Sequence, residues 1–272
     1  MIADLHNHSY FSDGMLAPTE VARTLKAAGL QAVALSDHDT TAGVAEMTAE
    51  CDRLGIINIS AVEISAYEDC DVHILGYNVD CSDEKLQTFL GGIRASREER
   101  IKNMLALLAE NGMPLEFSDV KKYVRSSLSR SHVARAMLAA GYETDFRACF
   151  DKWINYGSPC YVPNTVLKPE KAIEVIHSAG GKAVLAHPSR LRKKDPEKLT
   201  FIDRLAAAGL DGLEAVYKNL PEERVAFFRS AAQKNGLFVT VGGDFHAPDR
   251  HPIYLRELDS DAAAALKISA RR

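Results

Sequence analysis

Short apolar runs alternate with amphipathic stretches in the first third of the chain, a pattern that predicts strands joined by helical crossovers. Strands are expected at Ile2 to Leu5, Val33 to Ser36, Ile56 to Val62 and Val72 to Leu75. Helices are expected at Pro18 to Ala28, with proline in its first turn and Gly29 as its stop, and at Thr41 to Leu54. The last third repeats this grammar, with strands at Ala183 to Ala186, Leu213 to Val216 and Phe238 to Val241, each preceded by a helical pattern ending in glycine. Between them, about Ser82 to Pro163 reads as helical and polar without a convincing strand. Residues 1–81 and 164–272 are therefore expected to form one α/β domain, with 82–163 as an inserted small helical subdomain. Seven strands fit either an open doubly wound sheet or a closed barrel, and the pattern alone does not choose. No glycine-rich phosphate loop follows any strand, which counts against a nucleotide-binding open sheet.

Composition narrows the function classes. The chain has 272 residues, 46% hydrophobic and 26% charged, with a net charge of −4, too mild to suggest a duplex-DNA surface. No stretch approaches the roughly 18 apolar residues of a membrane span, and Met1-Ile2-Ala3-Asp4 lacks the basic and apolar regions of a leader, so no membrane partner and a cytoplasmic location are expected. The five cysteines are scattered without a C-x-x-C spacing and are expected to be reduced and mostly buried.

Polar residues able to hold metals recur at or near the predicted strand ends. Asp4, His6 and His8 close the first strand and Asp37, His38 and Asp39 the second; Glu63 closes the third and His73 lies in the fourth. His187 closes the fifth, and Asp244 with His246 the seventh. If the strands are parallel, their C-terminal ends share one face, and residues far apart in sequence meet there. Asp13 in Asp13-Gly14 is by itself an ordinary turn residue, and His177 reads as a surface or satisfied core histidine. So many imidazoles at strand ends would be costly in a structural core, and histidine with carboxylate but no cysteine suits Mn²⁺, Fe²⁺ or Zn²⁺. At about four ligands per ion, the set is too large for one metal and fits two or three, with Glu63 as the natural bridge.

The ordered series Asp4-x-His6-x-His8, Ser36-Asp37-His38-Asp39, Val62-Glu63, Val72-His73, Ala186-His187-Pro188 and Gly243-Asp244-Phe245-His246 resembles the polymerase and histidinol phosphatase (PHP) family. The resemblance implies a distorted seven-stranded (β/α)7 barrel with a trinuclear site that hydrolyses phosphoesters. It implies one ion at His6, His8, Glu63 and Asp244, a second at Glu63, His73 and His187, and a third at Asp13, His38 and His246. Manganese is the expected metal, with iron or zinc as alternatives. A hydroxide bridging two ions, held at Glu63, is the expected nucleophile, with no general acid assigned.

The insertion, with Ser129-Arg130-Ser131-His132, resembles the branch acting on 3',5'-nucleoside bisphosphates and short oligoribonucleotides. This implies hydrolysis of the 3'-phosphate, giving AMP and phosphate from adenosine 3',5'-bisphosphate, with short 5'-phosphorylated RNA as a second candidate substrate. Arg97 falls in phase with the apolar stripe Ile93, Ile101, Met104 and Leu108, which aims it at the barrel mouth rather than solvent. A serine N-cap at Ser129 would leave helix N–H groups beside Arg130, suited to phosphate. Arg97, Arg130, Ser131 and His132 are thus the expected substrate clamp. Competing readings are a histidinol-phosphate phosphatase, a metal-dependent amidohydrolase, for which no strand-end lysine is evident, and a non-catalytic nucleotide-binding or polymerase-associated module.

Overall fold

The computed structural model describes residues 1–165, 167–248 and 253–269. The strands are β1 (Ile2–Asn7), β2 (Ala32–Leu35), β3 (Ile57–Tyr67), β4 (Asp71–Tyr77), β5 (Lys182–Leu185), β6 (Gly212–Tyr217), β7 (Phe238–Gly242) and a two-residue β8 (Arg256–Glu257). The helices are α1 (Pro18–Ala27), α2 (Val44–Leu54), α3 (Glu84–Glu110), α4 (Phe117–Lys121), α5 (Arg130–Ala139), α6 (Phe146–Cys149), α7 (Pro169–Ser178), α8 (Asp195–Ala207), α9 (Glu222–Lys234) and α10 (Ser260–Ala265). Proline starts α1 and α7, where its missing N–H is no loss. Gly55 ends α2 at φ 67°, a left-handed conformation that costs glycine nothing.

All strands join one sheet in the order β7-β6-β5-β4-β3-β2-β1-β8. Near its mouth β1 meets β7 again: the His8 N–H donates to the Phe245 carbonyl at 2.8 Å, and the Phe245 N–H to the His6 carbonyl at 3.2 Å. At the other end β8 lies antiparallel on Ile2 and Ala3. The sheet is thus a nearly closed barrel of β1 to β7, with β8 added beyond the seven expected strands.

The expectation of uniformly parallel strands is corrected at β4, which is antiparallel to both β3 and β5. Only residues 68–70 separate β3 from β4, whereas a parallel return needs about a dozen residues or more. The reversal has a functional consequence. His73 stands near the start of β4, and only because this strand runs backwards does that end lie at the mouth formed by the C-terminal ends of its neighbours.

Three apolar clusters build the core. The largest fills the barrel and the space beneath α7 to α9, with Leu5, Ile64, Ile74, Leu185, Val241, Ile173, Ile202 and Phe228 among its members. A second packs Val21 and Leu25 of α1 and Met47 of α2 against Val33 and Leu35 of β2. The third joins Ile101, Met104 and Leu108 of α3 to Val133 and Met137 of α5, Cys149 and Ile154, and holds the helices α3 to α6 together. Helix α3 belongs to two of these, because Leu86 and Leu90 near its start pack into the barrel cluster. Among the described residues, 82–163 contain no strand. All five cysteines are free, four buried and Cys81 half-buried. No helix of the described residues is long and apolar enough to cross a membrane.

Candidate metal centre and anion clamp

Residues two apart in a strand face the same way, so His6 and His8 both turn into the barrel mouth, their rings 5.1 Å apart. Glu63, inside the long β3, lies between them and three other histidines. Its Oε1 is 2.9 Å from His73 Nδ1, 3.1 Å from His187 Nε2 and 3.3 Å from His6 Nε2. Its Oε2 is 2.8 Å from His38 Nδ1 and 3.4 Å from His8 Nε2. Asp244 Oδ1 is 3.3 Å from His8 Nε2 and 3.6 Å from His6 Nε2. Asp13 Oδ1 is 3.2 Å from His246 Nε2 and 3.8 Å from His38 Nε2. All nine sequence-predicted metal ligands therefore meet at one mouth.

Their ligand atoms fall into four overlapping groups, within each of which all atoms lie within 4.8 Å of one another. These are His8, Asp13, His38 and His246; His6, Glu63 and His187; His6, His8 and Asp244; and His38, Glu63 and His73. The first contains the expected Asp13, His38 and His246 trio and adds His8. His73 groups with His38 rather than with His187.

The residues fit divalent ions on a specific observation. His6 Nε2, His8 Nε2, Asp13 Oδ1, His38 Nδ1 and Glu63 Oε2 are buried without a hydrogen-bond partner, although several lie only 2.8 to 3.4 Å from one another. Buried lone pairs facing each other at that range are costly unless a cation lies between them. The donors are imidazole nitrogen and carboxylate oxygen, a set that suits Mn²⁺, Fe²⁺ or Zn²⁺.

Electrostatics prepares the ligands. Burial opposes the charge on Glu63, but His38, His73 and His6 overrule it and hold the carboxyl well below its usual range. Asp244 is likewise held well down, with His246 the chief influence against burial. Burial, helped by His246, pushes His8 down to about 3, keeping its nitrogen free to ligate. His38 goes the other way: Glu63 and Asp13 outweigh burial and lift it to about 9, so a proton there competes with a metal ion.

A surrounding set of groups aims these ligands. Glu214, buried in the middle of β6, accepts from the His187 N–H at 2.7 Å and lies 3.0 Å from His6 Nδ1, so one carboxylate orients ligands on two strands. Sequence reasoning missed it, although a lone acid in the otherwise uncharged run Gly212 to Tyr217 was the available signal. The Asp244 Oδ2 accepts from the Tyr217 hydroxyl at 2.7 Å and Arg190 at 3.0 Å, which leaves Oδ1 for the histidines. Lys218, just after β6, donates to the Asp244 carbonyl at 2.9 Å, so a strand-end lysine does exist, contrary to expectation.

The strand-end acids Asp4, Asp37 and Asp39 serve as scaffold. Asp4 accepts from the N–H groups of His6 and Gly243, and a Cβ on Gly243 would sit 2.5 Å from its Oδ2, which explains the glycine. Asp37 ties Ser9 and Ser12 of the loop carrying Asp13. The backbone is bent into the left-handed region at Asp39, His187 and Asp244, with φ of 54°, 27° and 50°, an uncommon cost for non-glycine residues. His177 is far less involved, paired with Asp211 at 2.7 Å.

A cavity of about 720 Å³ opens over this cluster. Asp13, His38, His73, His187, Asp244 and His246 line it on one side, and Arg97, Arg100, Ser129, Arg130 and Ser131 from the insertion on the other. Ser129 caps α5 as expected, accepting from the Ser131 N–H at 3.2 Å.

Two of the expected clamp residues do other work. His132 does not line the cavity; it is fully buried, its Nδ1 accepting from the Ser129 N–H at 3.0 Å, because a residue three positions into a helix folds back onto its cap. Arg97 reaches the cavity wall, but each of its three nitrogens is already engaged, by Asp39, the Leu128 carbonyl and Ser65. Arg100, one turn further along the same face of α3, was missed. Its Nε donates to the Val162 carbonyl at 2.7 Å, whereas its Nη2 is buried with no partner. Burial, reinforced by Arg130 and Arg97, lowers it to about 10, still cationic at neutral pH. Arg130 lies over the Tyr161 and Phe150 rings and 3.6 Å from Asp71, and Ser131 donates to Asp13 at 3.2 Å.

Comparison with known proteins agrees with this geometry. Residues 4–156 match the PHP domain family. A 3',5'-nucleoside bisphosphate phosphatase of Chromobacterium violaceum is 37% identical over 252 residues, covering 90% of this chain and 87% of its own. The 5'-3' exoribonuclease Rnm of Escherichia coli (strain K12) is 32% identical, covering 91% and 86%. A solved Chromobacterium violaceum structure, described as an amidohydrolase with bound sulfate and no metal, superposes with a TM-score of 0.88 at 34% identity, over 95% of this chain and 92% of that one.

Proposed function

Because the chain belongs to the PHP domain family, we propose that it is a metal-dependent phosphoric monoester hydrolase that removes the 3'-phosphate of nucleoside 3',5'-bisphosphates. Short 5'-phosphorylated oligoribonucleotides are a second substrate class, in keeping with the exoribonuclease relatives. The observation that carries this reading is the pairing, across one cavity, of a carboxylate–imidazole cluster with Arg130 and with Arg100, whose buried Nη2 has no hydrogen-bond partner. Two anion-seeking ends select a substrate with two phosphates.

His6, His8, Asp13, His38, Glu63, His73, His187, Asp244 and His246 would hold two or three divalent ions, for which manganese is our choice. Such ions lower the pKa of a coordinated water toward about 7 and offset charge on the phosphate to be cleaved. Glu63, within 3.4 Å of five histidines, would help hold more than one of these ions. The insertion, residues 82–163, acts as the clamp. Arg100 and Arg130 bind the phosphate that is kept, and Ser131 holds Asp13 in place. Arg97 supports the wall rather than the ligand. Arg190, fixed at one nitrogen by Asp244, has further N–H groups at the cavity for the phosphate that leaves. Five free thiols suit a cytoplasmic setting.

Histidinol phosphate is a poorer fit, since its amino alcohol needs an uncommitted acid; Asp71 on the cavity wall is already engaged by Asn164 at 2.8 Å and faces Arg130. A non-catalytic module would have no use for nine convergent ligands. The test is incubation with adenosine 3',5'-bisphosphate and identification of products. AMP and phosphate are expected, activity is lost on chelation with EDTA and returns with Mn²⁺. Release of the 5'-phosphate, or full activity after thorough chelation, would overturn the proposal.

A further inference from the structure

The cavity extends past the arginine clamp to an aromatic–cation pair that the chemistry above does not use. Tyr156 follows the insertion's last helical turn and lines the cavity, yet is 59% exposed, one of the few large apolar side chains left in solvent. Arg192, from the loop between β5 and α8, also lines the cavity and lays its guanidinium 3.4 Å from the Tyr156 ring centroid. Among the described residues that guanidinium makes no ion pair; its partner is the ring. Tyr156 meets Tyr161 edge to face at 5.6 Å, and Tyr161 in turn carries Arg130 of the clamp at 5.6 Å. A run of ring–ring and cation–ring contacts therefore leads from the phosphate clamp outward to the mouth.

We propose that Tyr156 and Arg192 form a nucleobase platform, on which the base of the bound nucleotide stacks while Arg100 and Arg130 hold its phosphate; this rests on the nucleotide reading above. Every base presents a π-face to a ring or guanidinium plane, so the platform favours nucleotides over other phosphate esters with little preference among bases. An exposed tyrosine and an unpaired arginine, brought together from the insertion and the barrel, are explained by a flat ligand that covers them.

The test compares the metal-loaded wild type with Tyr156→Ala, Tyr156→Phe and Arg192→Ala. Kd is measured by calorimetry for AMP and for ribose 5-phosphate, which has the same phosphate and sugar but no base. Tyr156→Ala should weaken AMP about tenfold, or ~1.4 kcal/mol, within the range for one stacked base, and leave ribose 5-phosphate unchanged. Tyr156→Phe should keep AMP affinity within about twofold, because the ring does the stacking. Arg192→Ala should follow Tyr156→Ala in selectivity. Equal losses for both ligands, the mark of a phosphate contact or of loosened packing, would overturn the platform. So would no loss for either, the mark of a tie between insertion and barrel, or no AMP binding by the wild type. Failure of the wild type to hydrolyse adenosine 3',5'-bisphosphate would sink the functional reading alone, because the AMP comparison needs no turnover.

Discussion

Exchanging Glu214 for glutamine replaces a symmetric acceptor by a group that accepts at one end and donates at the other. Its two oxygens serve two ligands: Oε2 receives the His187 N–H at 2.7 Å, and Oε1 faces His6 Nδ1 at 3.0 Å. In the variant the amide oxygen must stay on the His187 N–H, so the NH₂ turns to His6. His6 Nδ1 then becomes an acceptor, and the ring proton moves to Nε2. That nitrogen is the one aimed at Glu63 and Asp244, and a protonated nitrogen cannot ligate a metal. The Oε1 atom packs closely against Gly242, where an added Cβ would lie only 1.9 Å from it, so the side chain has little room to turn away. Losing an orienting partner of this kind costs about 10- to 100-fold in metal affinity, or ~1.4 to 2.7 kcal/mol. Calorimetric titration of metal-free Glu214→Gln with Mn²⁺ should show this loss, and ¹⁵N-histidine spectra should place the His6 proton on Nε2. Wild-type affinity and stoichiometry in a correctly folded variant would refute the argument.

Arg97→Ala breaks a buried ion pair and two further bonds, which should cost about 3 to 5 kcal/mol in urea unfolding; an unchanged midpoint would show that Arg97 is no structural tie. Arg100→Ala, by contrast, should leave most stability intact while cutting kcat/KM for a nucleoside bisphosphate about 10-fold or more, with a far smaller effect on p-nitrophenyl phosphate; equal losses on both would remove it from the clamp. Burial lowers His132 to about 4 from 6.5, so the unfolded chain takes up the proton first as pH falls. The stability this residue contributes is complete above pH 6.5 and is lost on descending to about 4, on the order of 3 kcal/mol. His132→Gln keeps the helix cap and should flatten the stability profile between pH 7 and 4; parallel wild-type and variant profiles would contradict it.

Much of the site was legible because metal chemistry restricts residue types. His6, His8, His38, His187, Asp244 and His246 stand at or just past strand ends, where unpaired polar groups are hard to explain otherwise. The expected strand end at Glu63 lies inside β3, which runs on to Tyr67, and the family resemblance adds Asp13 and His73. The same local patterns located β1 to β7 and the Ser129 cap. Strand direction was also within reach: even the expected strand ends at Val62 and Val72 leave only residues 63–71 between them, short of the dozen or more that a parallel crossover needs.

Which donors are free was not within reach. Arg97 and Arg100 share one face of α3 and look alike in sequence, yet Asp39, Ser65 and the Leu128 carbonyl happen to surround the first, while the second keeps a bare Nη2. His132 seemed a phosphate ligand until the fold turned it onto its own cap. Glu214 drew no notice because its role lies in partners on β1 and just after β5, far away in the chain. The amino-acid sequence by itself determined the secondary elements and the kind of chemistry, since periodicity and donor type are local properties. Only the tertiary structure decided which side chain meets which, because a hydrogen bond depends on distances between segments that no local pattern encodes.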